Sequence, residues 1–416
     1  MPTIQKADAP PSSWLTGPQF ALRLISGKNC FQFLALAVAL LIPLRSTTPA
    51  PPFFPASATR AATPDHPPIT ETIDWVKRPS RELMQFDYAM TVRIRLLFFW
   101  MSKDDVGGGY IRRGISRDDP RLELFQVLFG SDPGKAPRQI NRWGAGTEAE
   151  WHSNPVANDP AANNSAVVNS AAFARSSPAD DVAASAFFGF MKSSKGKSVS
   201  EMQAELKKEK DRGEHAFTGI LSRVEPGRAF SVVVPLNSNE DFNLHQYGVA
   251  EPLMIEKLST WEEPARTLTD SGQCRRAGEF LGTVAELVDT ALKNAAPLNA
   301  SSFSTGNPGP ASLCYVHDAQ VDTLKLESVT PVKKLEAKVN AAKGGVLADN
   351  TFENLLELNF VTTHQLTGKK VYFTLLVGTQ GELRGVPVQI RYEPNWWLQV
   401  VLNLQPTTSR LASTAK

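Results

Sequence analysis

Asn354 to Leu404 reads NLLELNFVTTHQLTGKKVYFTLLVGTQGELRGVPVQIRYEPNWWLQVVLNL. Four runs within it, Leu355–Val361, Val371–Val377, Val386–Tyr392 and Trp397–Leu404, are short and rich in β-branched and aromatic residues. Such runs, bounded by turn residues, read as strands. The links are Leu366-Thr367-Gly368-Lys369, Thr379-Gln380-Gly381-Glu382 and Glu393-Pro394-Asn395. They are too short for a parallel crossover, which takes a dozen or more residues, so the strands form an antiparallel meander. The expected fold is α+β: a meander, open or curved into a half-barrel, with a helix packed across one face. That helix is Gln273–Ala296. Cys274, Ala277, Leu281, Val284, Val288, Ala291 and Ala295 recur there at spacings of three and four, and Pro297 stops it.

Upstream, Leu313–Val316 and Asp322–Val329 read as strands, and Asn299–Ala311 as a Gly/Pro/Ser loop. His215–Leu258 reads as β-rich throughout, with Glu225-Pro226-Gly227 as a turn between Phe217–Val224 and Ala229–Val234. Ser198-Val199-Ser200-Glu201 matches a capping box for a charged helix ending at Gly213. Trp151–Asp181 is Asn/Ala/Ser/Pro-rich and buries too little to offset its ordering entropy, so it reads as a surface loop or linker. Ala89–Trp100 alternates, with Val92, Ile94, Leu96, Phe98 and Trp100 on one face of a strand. Gly107-Gly108-Gly109 reads as its turn, with Tyr110–Arg113 returning. Asp119-Pro120 reads as a helix start, with Leu122, Phe125 and Phe129 on one side and Gly130 as the stop. The expected divisions are 1–30 leader, 31–44 signal core or anchor, 45–70 Pro-rich linker, 71–150 first β/α region, 151–182 linker or loop, 183–404 α+β domain and 405–416 tail.

Phe31–Leu44, FQFLALAVALLIPL, carries no charge over its 14 residues. A membrane-spanning helix needs about 20 apolar residues, whereas a signal-peptide core has about 7–15. Lys6, Arg23 and Lys28 precede it against Asp8, a bias that holds the N-terminal side in the cytoplasm and sends the rest across. The 30-residue leader and the distant Ala56-Ser57-Ala58 site fit an uncleaved anchor as well as a signal peptide. The expected location is the periplasm or cell envelope, with the inner membrane as the anchoring partner. Export also governs the cysteines. Of three, Cys274 and Cys314 lie downstream, and in an oxidising compartment they are a disulfide candidate. The loop of about 40 residues would contribute about 4 kcal/mol in the chain-entropy account.

A net charge of +2, from 44 Lys+Arg and 42 Asp+Glu, leaves no field that would draw nucleic acid, and no nucleic-acid partner is expected. The chemical motifs fail on spacing. Lys195-Gly196-Lys197-Ser198 lacks the upstream Gly of a phosphate loop, since Met191 stands there. Ser194 and Lys197 match Ser-x-x-Lys, but its companion elements are missing. His152, His215, His245, His317 and His364 show no paired-ligand spacing, even with Glu214, Asp241 or Asp318, so no metal and no cofactor are expected. Asp104-Asp105 and Asp118-Asp119 read as turn and cap chemistry, because strand neighbours face opposite ways. No catalytic residue is assigned.

Two surface features remain. Trp396-Trp397 puts one ring on each face of a strand, and the outer one can contact a ligand or a membrane. Arg112 and Arg113, in a region that also holds Arg117, Arg121, Arg138 and Arg142 beside Tyr110 and Trp143, can contact anionic headgroups; Asp118, Asp119, Glu123 and Asp132 sit among them. The expected function is a non-catalytic bacterial envelope protein that binds a protein partner or an apolar, lipid-like ligand. An exported hydrolase with a site assembled from distant residues, and a structural envelope scaffold, are the alternatives.

Overall fold

The structure, a computed structural model, describes residues 69–96, 99–136, 139, 141–154, 182–192, 215–225, 228–260, 266–269, 279–295, 312–317, 320–340, 347–365, 368–395 and 398–405. Both readings of Phe31–Leu44, the helix after Ser198 and the loop Asn299–Ala311 lie outside them. Helix α1, Ile69–Val76, leads into strands β1 (Ser80–Leu96), β2 (Phe99–Ser116), β3 (Leu122–Ser131) and β4 (Trp143–His152). Strands β5 (Val182–Lys192), β6 (His215–Glu225) and β7 (Arg228–Ser238) follow, then helix α2 (Tyr247–Ser259), β8 (Arg266–Thr269) and helix α3 (Phe280–Ala295). The chain ends in β9 (Ser312–His317), β10 (Gln320–Asn340), β11 (Leu347–Thr363), β12 (Lys370–Gly378), β13 (Pro387–Asn395) and β14 (Leu398–Leu404).

All fourteen strands form one sheet, in the order β8-β7-β6-β5-β4-β3-β2-β1-β14-β13-β12-β11-β10-β9. Apart from β8 and β9, strands adjacent in sequence pair antiparallel, and β1 pairs with β14 to join the two runs, with Val92 opposite Val400. The sheet is a curved, unclosed meander whose free edges are β8 and β9. The edges nonetheless approach each other, since Val316 of β9 packs against Val224 and Ala229 of β6 and β7. The C-terminal meander is therefore one part of a larger one. Because β4 and β5 are paired neighbours, the chain on either side of 155–181 belongs to the same sheet.

Helix α3 lies on the concave side. Phe280, Leu281, Val284, Leu287, Val288 and Leu292 are buried in a cluster that takes Phe125, Phe129 and Phe187 from one run and Phe352, Phe360 and Phe373 from the other. Phe280 meets the Tyr315 ring edge-on at 5.1 Å, and Phe360 stacks on Phe373 at 4.9 Å. Helices α1 and α2 cover the convex side of β3–β7. There Trp143 makes edge contacts with Phe190 at 5.5 Å, Phe217 at 6.0 Å and Tyr247 at 6.4 Å. Ile73 and Val76 of α1, and Ala250, Met254, Ile255 and Leu258 of α2, close this second cluster.

Four local expectations are corrected. Leu122–Ser131 is a strand, not a helix. Both its faces are buried, so Leu122, Leu124 and Leu128 face one cluster while Phe125, Val127 and Phe129 face the other. A run apolar on both faces matches helical spacing by accident. Asp119 does not cap a helix; its carboxylate accepts from the Arg121 amide at 3.0 Å, an Asx turn. Gly107-Gly108-Gly109 is not a turn but the middle of β2, opposite Ser131, Gly130 and Phe129. The glycines allow close backbone approach: a Cβ on Gly109 would fall 1.8 Å from the Leu128 carbonyl oxygen. Leu96 pairs with Phe99 across β1 and β2, so Trp100 belongs to β2 and faces Arg95. Finally, 247–259 is helical although it reads as strand. Val249 is exposed at 65% while Ala250, Met254 and Leu258 are buried, a period of four rather than two.

Candidate functional site

Arg112 and Arg113 are adjacent on β2 and so face opposite sides of the sheet. Arg113 points to the concave side, is 2% exposed, and is ion-paired with Glu123. It cannot touch a ligand or membrane at the surface, which removes one of the two arginines from the expected patch. Arg112 points to the convex side, into a cleft of about 150 Å³ beneath the end of α1. Lys77, Arg78 and Arg112 bring three positive charges to this cleft, against Glu251. Gln126 and Thr147 supply neutral polar groups, and Val76, Leu124 and Phe188 form an apolar wall.

The Arg112 guanidinium is held in place. It donates to Gln85 Oε1 at 2.6 and 3.1 Å, lies 3.2 Å from Glu82, and sits 4.9 Å over the Tyr110 ring. Arg78 lies 4.8 Å over the Trp151 ring. Stacking fixes the planes of both guanidiniums and leaves their charge in place. Burial holds the Glu251 carboxyl above its ordinary range, while its bond from the Tyr247 hydroxyl at 2.5 Å opposes that shift. The arrangement suits the anionic end of a ligand with an apolar flank.

On the concave side, the Arg113–Glu123 pair continues into a buried polar seam. Glu148, Glu150 and His152 alternate along β4 and therefore share a face, with Glu150 directly opposite Glu123 on β3. His152 Nε2 lies 3.3 Å from Glu123 Oε2. Arg113 and His152 hold the Glu123 carboxyl below the usual range against the opposing effect of burial. The Glu148 oxygens accept from the Leu281 and Gly282 amides at 2.7 and 2.9 Å, satisfying the first turn of α3. Burial, with the charges of Glu150 and Glu279 beside it, nonetheless pushes Glu148 well above an ordinary carboxyl. Ser222 donates to Glu279 at 3.0 Å. The seam thus docks the helix to the sheet.

Glu123, Glu150 and His152 have ligand atoms within 4.8 Å of one another, the one such grouping among the described residues. The Arg113 guanidinium already brings positive charge to Glu123, so the grouping reads as part of the ion-pair seam. Spacing along the chain hides it, because Glu123 comes from the neighbouring strand. The legible signal was the alternation Glu148-x-Glu150-x-His152, which in a strand places three polar groups on one face.

Cys314 is fully buried on β9, with Thr323 Oγ1 4.0 Å from its sulfur. Cys274, Trp396, Trp397, Ser194 and Lys197 lie outside the described residues. Of the other histidines, His215 and His245 are drawn to Asp241 and Asp132, at 3.7 and 3.2 Å, and share no site.

No family model and no curated protein matches the chain. A solved structure is similar over 78% of this chain and 97% of its own, at 7% identity and a TM-score of 0.33: the beta-barrel-like protein of domain of unknown function DUF1849 from Brucella abortus.

Proposed function

We propose that this is an exported protein of the bacterial envelope that binds rather than catalyses, and that its ligand is an amphiphile with an anionic head. The observation that carries this reading is the convex cleft, where Lys77, Arg78 and Arg112 face an apolar wall of Val76, Leu124 and Phe188. A volume of about 150 Å³ suits a carboxylate or phosphate head and is below the roughly 300 Å³ at which whole-ligand pockets begin. The ligand's apolar part would run out over the rim. Export rests on Phe31–Leu44 with its basic flank, the segment that also serves as the membrane partner, anchored or cleaved. The Cys274–Cys314 bridge belongs to the same reading, since an oxidising compartment would let the two downstream cysteines pair. Trp396 and Trp397 are kept as ligand or membrane contacts on their sequence alone.

Native mass spectrometry of the full chain, released gently from its host membrane, tests the ligand. A bound acidic amphiphile is expected, and Lys77→Ala with Arg112→Ala should lower its occupancy about tenfold, the factor that about 1.4 kcal/mol represents. A clean apo mass from the wild type would reject the assignment. Export is tested separately by a reporter active only outside the inner membrane, fused after Leu404.

A further inference from the structure

Strands β1 and β2 outrun their neighbours. β3 stops pairing with β2 at Gly107, and β14 stops pairing with β1 at Ile94. Beyond those levels the two strands continue as a ribbon, with Arg95 opposite Trp100 and Leu96 opposite Phe99. A two-stranded ribbon without a covered face is marginal in water. This one carries apolar side chains outward, Phe99 at 56%, Trp100 at 43% and Met101 at 42% exposure. They are three of the six exposed large hydrophobics among the described residues, and they are consecutive. Scattered exposed apolar residues are ordinary, whereas a contiguous group marks a contact surface.

The charge around the group is one-sided. Arg95 is exposed on the ribbon, its guanidinium 6.0 Å over the Trp100 ring, and exposed Arg93 and Lys103 lie just below it on the same two strands, Arg93 donating to Gln399 at 3.3 Å. Exposed Lys369 and Lys370 lead into β12 at the same end of the sheet, where exposed Tyr372 follows. The nearby acids are mostly engaged: Asp104 by Lys338 at 2.7 Å and Thr91 at 3.0 Å, Asp105 by Lys135 at 3.0 Å, and Glu393 by Gln399 at 2.6 Å.

We propose that the free end of the β1–β2 hairpin is a membrane-docking tip that seats Phe99, Trp100 and Met101 at the interface of an anionic phospholipid bilayer, with Arg93, Arg95 and Lys103 on the headgroups. Aromatic rings suit that depth, being apolar in body with a polar edge. Each basic residue near an anionic surface contributes about fivefold in partitioning, so the three together select charged over zwitterionic lipid. The basic rim argues against a second copy as the occupant, since two such rims would repel. The folded body starts at the opposite end of β1, about 55 Å away for 17 residues. The 24 residues from 45 to 68 can span at most about 80 Å, so an anchor at 31–44 leaves the tip free to reach the same membrane. The tip makes no use of the ligand cleft, and its test does not depend on the cleft.

Hydrogen exchange on the full chain in lipid nanodiscs reads the tip directly, with any anchor present equally in every sample. Amides of 95–103 should exchange about tenfold more slowly in phosphatidylglycerol discs than in phosphatidylcholine discs or detergent, as expected for covered against frayed backbone. The double variant Arg95→Glu/Lys103→Glu, at exposed positions that do not threaten folding, should abolish the difference. Phe99→Ser/Trp100→Ser should do the same. Equal exchange in both lipids overturns the proposal, as does protection that persists in the charge-reversed variant. Protection in detergent that grows with protein concentration would identify a second copy as the occupant and overturn it too.

Discussion

The two runs of the sheet share one connectivity and differ in how many faces they bury. Strands β3–β7 are covered on both sides, by α3 within and by α1 and α2 without. Strands β10–β14 meet a helix only on the concave side, although Gln389, Val401 and Asn403 on the other face are also buried. Their convex side is polar: Thr374 donates to Asn359 at 2.7 Å, Asn359 to Ser328 at 3.0 Å, and Gln389 to Asn403 at 2.7 Å. The concave sides differ in the opposite sense. The C-terminal run is apolar there, with Phe360 stacked on Phe373, while the N-terminal run carries the buried seam of Glu123, Glu148, Glu150 and His152. The difference shows what each half is for. The C-terminal run is a half-exposed sheet stabilised by one core. The N-terminal run is the middle layer of a three-layer region, and it holds both the helix-docking carboxylate and the basic cleft.

The sharpest way to break this comparison is to remove a large side chain from the outer layer of the N-terminal run. Phe190→Ala should cost about 4 kcal/mol, as buried aromatic truncations do. Tyr372→Ser, on the convex side of the C-terminal run, should stay within about 0.5 kcal/mol. Denaturant titrations of the two variants check this, and equal losses would mean that the convex faces do not differ as described.

Next in size is Glu148→Ala. It strips the acceptors from the Leu281 and Gly282 amides in a buried site, which should cost about 3 kcal/mol. The loss should appear first as faster exchange in the first turn of α3.

The seam should also be visible in the pH dependence of stability. An unfolded glutamate releases its proton near pH 4.3. Native Glu148 keeps its proton to higher pH because of burial and the neighbouring Glu150 and Glu279. Above the ordinary carboxyl range the native state therefore binds more protons than the unfolded chain, and this group's contribution falls as pH rises. Glu148→Gln should flatten that fall. A variant whose stability follows the same pH curve as the wild type would show that Glu148 is ionised in the native state.

A smaller effect is expected at the buried polar pair on the convex side. Gln389→Ala should cost about 1 kcal/mol, because it leaves Asn403 without its donor. The double change Gln389→Leu/Asn403→Leu should be nearly neutral, since it removes both partners together. A large loss from the double change would show that this buried pair does more than satisfy its own polar groups.

Legibility from the sequence follows the same division. Leu355–Val361, Val371–Val377 and Val386–Tyr392 fall on β11, β12 and β13, because a strand with one wet face must alternate and the alternation can be read. Leu122–Ser131 failed for the converse reason, since a strand dry on both faces has no period to read. The helix at 280–295 was found from its stripe, yet Gly282, Thr283 and Ala285, off the stripe, are buried as well, because the sheet wraps around it. Among candidate site residues, Arg112 was named, but nothing in its neighbourhood along the chain pointed to Lys77 and Arg78 as its companions. Arg113 was paired with it by adjacency, and adjacency on a strand is what separates two side chains.

From the amino-acid order alone came the antiparallel strand succession at the C-terminus, one amphipathic helix, and an uncharged apolar run at Phe31–Leu44. Each depends on residues within one turn or one strand of each other, so local periodicity is enough. Tertiary structure decided that β1 joins β14, that one helix is wrapped while two others cover the outside, and that three basic residues converge on one cleft. Those outcomes depend on which faces lose water together, and burial of that kind is shared between segments far apart in the chain, as in the bond from the Tyr88 hydroxyl to the Pro387 carbonyl, 299 positions away.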